Sequence, residues 1–120
     1  MKKICDANII LRYLIKDDEN LFDIAKKEIQ KCPIVPIVIL AEIVYVLKGI
    51  YKVSRNDIVD TLITLSDEVE YEDINITLQT LNFFKNLNLD FADCYLLARN
   101  KINKEEIVTF DNKLNKELNK

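Results

Sequence analysis

Short runs with strand character alternate along this chain with longer runs of helical periodicity, and no two strand-like runs follow one another. Adjacent strands can close on a tight hairpin, whereas strands separated by helices need crossover connections, which give a parallel sheet with helices on its faces. The strand-like runs are "KKIC" (2–5), "IVP" (34–36), "VEYE" (69–72) and "EEIVTF" (105–110). Between them the spacing predicts a helix over 8–15 and a second one introduced by Asp18-Glu19. The second places Leu21, Ile24, Ala25, Ile29 and Cys32 on one face. Further helices are expected over 37–50, with Pro36 in the first turn, over 55–66 behind Ser54, over 76–87, over 91–102 behind Asp90, and over 112–118. The chain therefore reads as an α/β protein with a mainly parallel sheet, and as a single domain over residues 1–120. One glycine and two prolines leave little room for long flexible loops.

The composition, 49% apolar and 31% charged, suits a globular protein and argues against disorder. "MKKIC" runs directly into Asp6, unlike a signal peptide, and Pro36 and Glu42 interrupt the longest apolar run, so neither secretion nor a membrane span is expected. Three widely spaced cysteines, Cys5, Cys32 and Cys94, read as reduced, buried thiols of a cytoplasmic protein. There is no histidine, which excludes histidine general-base chemistry and His-ligated zinc. A net charge of −3 argues against holding nucleic acid by overall charge, and leaves open local binding through a cation.

The acids carry the chemistry. Asp6 and Asp111 end the first and last strand-like runs, and in parallel sheets ligands bind beyond the carboxyl ends of strands. Asp90 and Asp93 stand at the start of a helix. Glu42 sits inside "ILAEIVYVL" with Val38, Ile39, Tyr45 and Val46 at helical spacing, so no basic residue is in register to pair with it. Each acid has a plain reading. Asp6, Asp90 and Asp111 can cap helices, Asp93 can face a helix dipole, and Glu42 can lie at a helix margin reaching water. The alternative is convergence. Two carboxylates about 4 Å apart repel by about 4 kcal/mol at an effective dielectric near 20, so a group of them needs a cation to stay ionised. Oxygen-only ligation favours Mg²⁺ or Mn²⁺ over zinc.

Four segments, "CDANIILRYLIKDD", "VILAEIVYVL", "LDFADCYLLA" and "IVTFDNKL", resemble in order the signature blocks of the PIN domain, most nearly those of VapC-type toxin ribonucleases. The resemblance implies a three-layer α/β/α fold with a mainly parallel central sheet, and a metal site formed by Asp6, Glu42, Asp93 and Asp111. Asp90 becomes a cap or an outer acid. Asn8 matches a position that orients the first aspartate by hydrogen bonding, and Thr109 a hydroxyl position near the metals. Arg12 matches a family position without an assigned role. The chain lacks the glycine that often precedes the last strand; Asn103, which tolerates the left-handed conformation, takes its place.

The activity implied is a Mg²⁺- or Mn²⁺-dependent endoribonuclease. One ion would activate water and a second would stabilise the leaving 3′ oxygen. The partners implied are RNA, a small antitoxin that enters the acidic groove, and a second copy of the chain. Tyr13, Leu21 and Phe22 are candidate contacts. Lys52 and Arg55 flank Tyr51 and could touch RNA, an ordinary solvated surface being the plainer reading. The alternative function is a non-catalytic PIN-like binding module. Phospho-acceptor and haloacid-dehalogenase-type domains fit poorly, since Asp6 is followed by Ala7-Asn8 rather than by a second acid.

Overall fold

Seven helices dominate the computed structural model, which describes residues 1–120 and divides into two compact units, Met1–Glu72 and Asp73–Lys120. In the first unit the chain starts extended. Ile34 N–H donates to the Lys3 carbonyl at 2.7 Å and Cys5 N–H to the Ile34 carbonyl at 3.3 Å, forming a parallel bridge between Ile4 and Ile34. α1 (Ala7–Ile15) then begins at Asp6, whose carboxylate accepts from Ile9 N–H. α2 (Glu19–Ile29) begins at Asp18 in the same way. β1 (Ile34–Val35) leads through Pro36 into α3 (Ile37–Gly49), where proline stands at the N-cap rather than inside the first turn. α4 (Arg55–Leu65) is capped by Ser54, and β2 (Glu70–Tyr71) pairs in parallel with β1, Ile34 opposite Glu70 and Val35 opposite Tyr71.

The parallel sense expected from the strand–helix alternation holds. The ladder is small, two strands and one bridge, and the protein is correspondingly helix-rich. In this unit α1 packs on α2 and α3, and α3 on α4. Ile10, Leu40, Ile43, Ile58, Val59 and Leu62 are fully buried. The expected face of α2 is only half right. Ala25 and Ile29 are buried, but Leu21 and Ile24 are exposed, and Cys32 lies beyond the helix in an exposed turn at φ 52°. No cysteine forms a disulfide; Cys5 and Cys94 are buried as expected, and Cys32 is exposed.

The second unit is helical. α5 (Ile74–Asn86) packs on α6 (Phe91–Asn103), and α6 on α7 (Asn112–Leu118). Phe84 meets Phe91 edge-on, with centroids 5.9 Å apart and planes at 69°. Leu81, Leu97, Ala98 and Leu114 are buried. Two expectations fail here. Residues 105–110 form no strand, and Val108 and Phe110 are 91% and 104% exposed. The left-handed turn after α6 falls on Lys104 (φ 60°), while Asn103 stays helical.

Tyr71 shows how the polar ends of helices are satisfied. The last carbonyls of a helix lack intrahelical partners. In the last turn of α4 the Leu62 carbonyl takes the C-cap amide of Ser66 at 3.2 Å, and the Tyr71 hydroxyl, on a side chain 4% exposed, adds a second donor to it at 2.5 Å. Burial pushes the phenol well above its ordinary range, so it stays a donor. Tyr71→Phe should cost about 1 kcal/mol, the net value of one such bond, read as a lower urea midpoint at unchanged m-value.

Candidate metal centre

Two of the expected ligands belong to the first unit. Asp6 directly follows the bridged segment, beyond the carboxyl end of a parallel pairing, and is exposed. One of its oxygens is engaged by Ile9 N–H at 3.2 Å. The bond expected from Asn8 is not made; Asn8 lies exposed in the first turn of α1. Glu42 is exposed on α3. This helix buries Leu40, Ile43, Val44 and Leu47, while Val38 and Tyr45, four residues before and three after Glu42, are 70% and 76% exposed. The apolar segment around Glu42 is therefore not buried all round, and its carboxylate stands on the face turned to solvent. Glu72 was not singled out from the sequence. It follows β2 at the same carboxyl edge, and its side chain accepts from Ile37 N–H, the first amide of α3, at 3.2 Å. The strand-end rule that flagged Asp6 applies equally to it.

The second unit holds the other two. Asp90 caps α6 by accepting from Asp93 N–H at 2.8 Å, which places Asp93 in the first turn. Asp111 caps α7 through Leu114 N–H at 2.8 Å, and its own N–H donates to Thr109 Oγ1 at 3.0 Å. Asn115 Nδ2 in turn donates to the Thr109 carbonyl at 3.0 Å. The Asp93 carboxyl is held above its ordinary range, first by partial burial, then by the negative charges of Asp90 and Asp111. Asp90, Asp93 and Asp111 therefore share one electrostatic neighbourhood.

Residues 3–117 match the PIN domain family. The chain belongs to the PIN domain family. No curated protein and no solved structure matches it significantly. PIN domains are generally nucleases and typically bind divalent metals, so nuclease-type chemistry on nucleic acid is the class of function to which this PIN domain belongs. All four expected ligands, and Asn8, Asp90 and Thr109 with them, fall inside the matched span.

The donor chemistry suits a hard divalent cation. The candidate ligands offer carboxylate oxygen only, and in the second unit Asp93 feels the negative charges of Asp111 and of the capping Asp90, a repulsion of the kind a cation relieves. The arrangement is not a closed cage, since no group of three acidic or thiol side chains is drawn together tightly enough to hold an ion. Other sequence candidates have partners of their own. Arg12 pairs with Asp17 at 3.0 Å and leaves its Nε buried without a partner. Tyr13 stacks on Phe22 with centroids 5.6 Å apart, and its hydroxyl bonds to Glu68. The Arg99–Glu105 fork that ties the end of α6 to the chain after it was not foreseen, because nothing at a six-residue spacing across a helix end announces an ion pair.

Without metal, the folded state holds the Asp93 proton more tightly than the unfolded chain does. Protonation therefore favours the fold, and stability declines as pH rises through the folded pKa of Asp93. Asp93→Asn should raise the metal-free melting temperature at neutral pH by roughly a degree or two. The gain should shrink as acid protonates the wild-type carboxyl. Calorimetry across that range measures both.

Proposed function

We propose that this PIN domain is a Mg²⁺- or Mn²⁺-dependent endoribonuclease, the toxin of a toxin–antitoxin pair, working as a single domain over residues 1–120. Asp6, Glu42, Asp93 and Asp111 are its metal ligands. Asp90 and Thr109 stand behind them, Asp90 holding the Asp93 backbone and Thr109 that of Asp111. The observation that carries this reading is the PIN domain match over residues 3–117, inside which all four acids fall; the Asp93 carboxyl, held above its ordinary range by partial burial and then by the charges of Asp90 and Asp111, supports it. When bound, the metal supplies activated water and neutralises charge on the scissile phosphate. The protein's own contribution is to hold carboxylates in place. At Asp6 and Asp111 one oxygen accepts from a helix amide, and the carboxylate's remaining lone pairs are left for other ligands. The same acids repel the RNA backbone until a cation reverses their charge, which supports cleavage that depends strictly on added metal.

Incubating the protein with total RNA and Mn²⁺ tests this directly. Cleavage should occur, disappear with a chelator, and fall to background in Asp6→Asn and Asp93→Asn. Wild-type rates in either variant would refute the assignment. A second reading, a PIN-like module that binds without cleaving, is favoured by the absence of a ready-made three-ligand cluster. Calorimetric titration with Mn²⁺ separates the two, because such a module takes up no ion. The toxin reading also proposes a homodimer and a small antitoxin. The exposed Leu21 and Ile24 on α2, next to the Tyr13–Phe22 stack, are the apolar surface offered for those contacts.

A further inference from the structure

We propose that Arg99 is a positioning residue for Asp111, acting through Glu105; the inference rests on the metal-ligand reading of Asp111. α6 carries Asp93 in its first turn and runs away from it to Asn103. Asp111 lies eight residues beyond the end of that helix, yet α7, the helix it caps, packs back on α6. The chain must therefore turn at Lys104, in the left-handed conformation, and come back. The returning residues 105–110 belong to no helix or strand; Ile107 is half-buried, and Val108 and Phe110 are exposed. Neither a sheet ladder nor a fully buried side chain fixes the path. Six extended residues span about 20 Å, enough slack to misplace a carboxylate by several ångströms if one end were loose.

Polar contacts tie both ends. At the near end Arg99 grips Glu105 with a two-pronged fork, Nε to Oε1 at 2.7 Å and Nη2 to Oε2 at 2.6 Å. Its third arm, Nη1, bonds the Tyr95 hydroxyl at 2.9 Å, and the guanidinium lies over the Tyr95 ring. Asn100 Nδ2 holds the Glu105 carbonyl at 3.0 Å, and Asn103 Nδ2 reaches Glu105 Oε1 at 3.2 Å. At the far end Asn115 holds the Thr109 carbonyl and Thr109 holds the Asp111 amide. The planar fork fixes direction as well as distance, which a single contact does not. Its side chains are 39% and 41% exposed, so the pair contributes little to global stability. What it contributes is the placement of the returning segment.

Arg99→Gln and Glu105→Gln each break the fork, and the exchange Arg99→Glu/Glu105→Arg rebuilds it in reverse. Both single variants should melt within a few degrees of wild type. Each should bind Mn²⁺ about tenfold more weakly by calorimetry, the size of effect usual for residues supporting a metal ligand. Amide hydrogen exchange at Asp111 and Leu114 should quicken, kcat should fall with KM for RNA unchanged, and the exchanged pair should recover most of the loss. Unchanged Mn²⁺ affinity in both single variants overturns the inference while leaving the nuclease reading standing. If the wild type itself takes up no Mn²⁺, the metal reading fails. Exchange at Asp111 and Leu114 then decides the positioning role alone, faster in the variants supporting it and unchanged refuting it.

Discussion

The N–H groups at the start of a helix have no partner within the helix, and this protein answers that need with aspartate. Asp6, Asp18, Asp73, Asp90 and Asp111 cap five of the seven helices, each accepting from the amide three residues on. Capping is thus the ordinary use of aspartate in this chain, and a strand-end aspartate is no evidence of a ligand by itself. It also explains how such acids can be placed accurately at low cost. A cap fixes the carboxylate relative to a rigid helix while leaving lone pairs for something else. The two roles weighed for Asp6, Asp90 and Asp111 are compatible, and only the surroundings of each acid separate a cap from a cap that also binds.

Those surroundings differ. Asp18 and Asp73 each accept from the amide three residues on, and neither is one of the four expected ligands. Asp90 holds the backbone of Asp93, and the charges of Asp90 and Asp111 both act on the Asp93 carboxyl. Crowding of this kind opposes folding, and it persists where something else gains from it. Membership of the PIN domain family, with its general nuclease character and usual divalent metals, supplies that gain. The acidic overall charge fits the proposed metal site, at which attraction for nucleic acid would come from the cation rather than from the protein.

Most helices were legible because their signals are local. Ser54 with Asp57, Asp18 with Glu19 and Asp90 with the run after it are caps that any window of four residues reveals. The strand over 105–110 was misread because β-branched and aromatic residues report a fit to a pleated surface, and whether a neighbour is present is decided by the rest of the fold. Glu42 posed the converse problem. Its window is apolar at nearly every position, so periodicity could not say which face was covered, and Val38 and Tyr45 turn out to share its exposed side. Leu21 and Ile24 misled for a related reason, since an amphipathic stripe can be wider than the surface it packs against. The neighbourhood of Asp93 lay beyond local reading, because its partner Asp111 is eighteen residues away and is brought back by a turn at Lys104 that the sequence places one residue earlier.

The bare return segment has one more consequence. A segment outside any helix or strand that exposes valine and phenylalanine offers backbone and apolar surface onto which strands of other molecules can add, the usual beginning of aggregation. Here it is bracketed by Lys104, Glu105 and Glu106 on one side and Asp111 on the other, charges that act as gatekeepers against stacking. The acid proposed to hold a catalytic ion would then also help keep the protein in solution, and a substitution that removes its charge touches colloidal behaviour as well as chemistry.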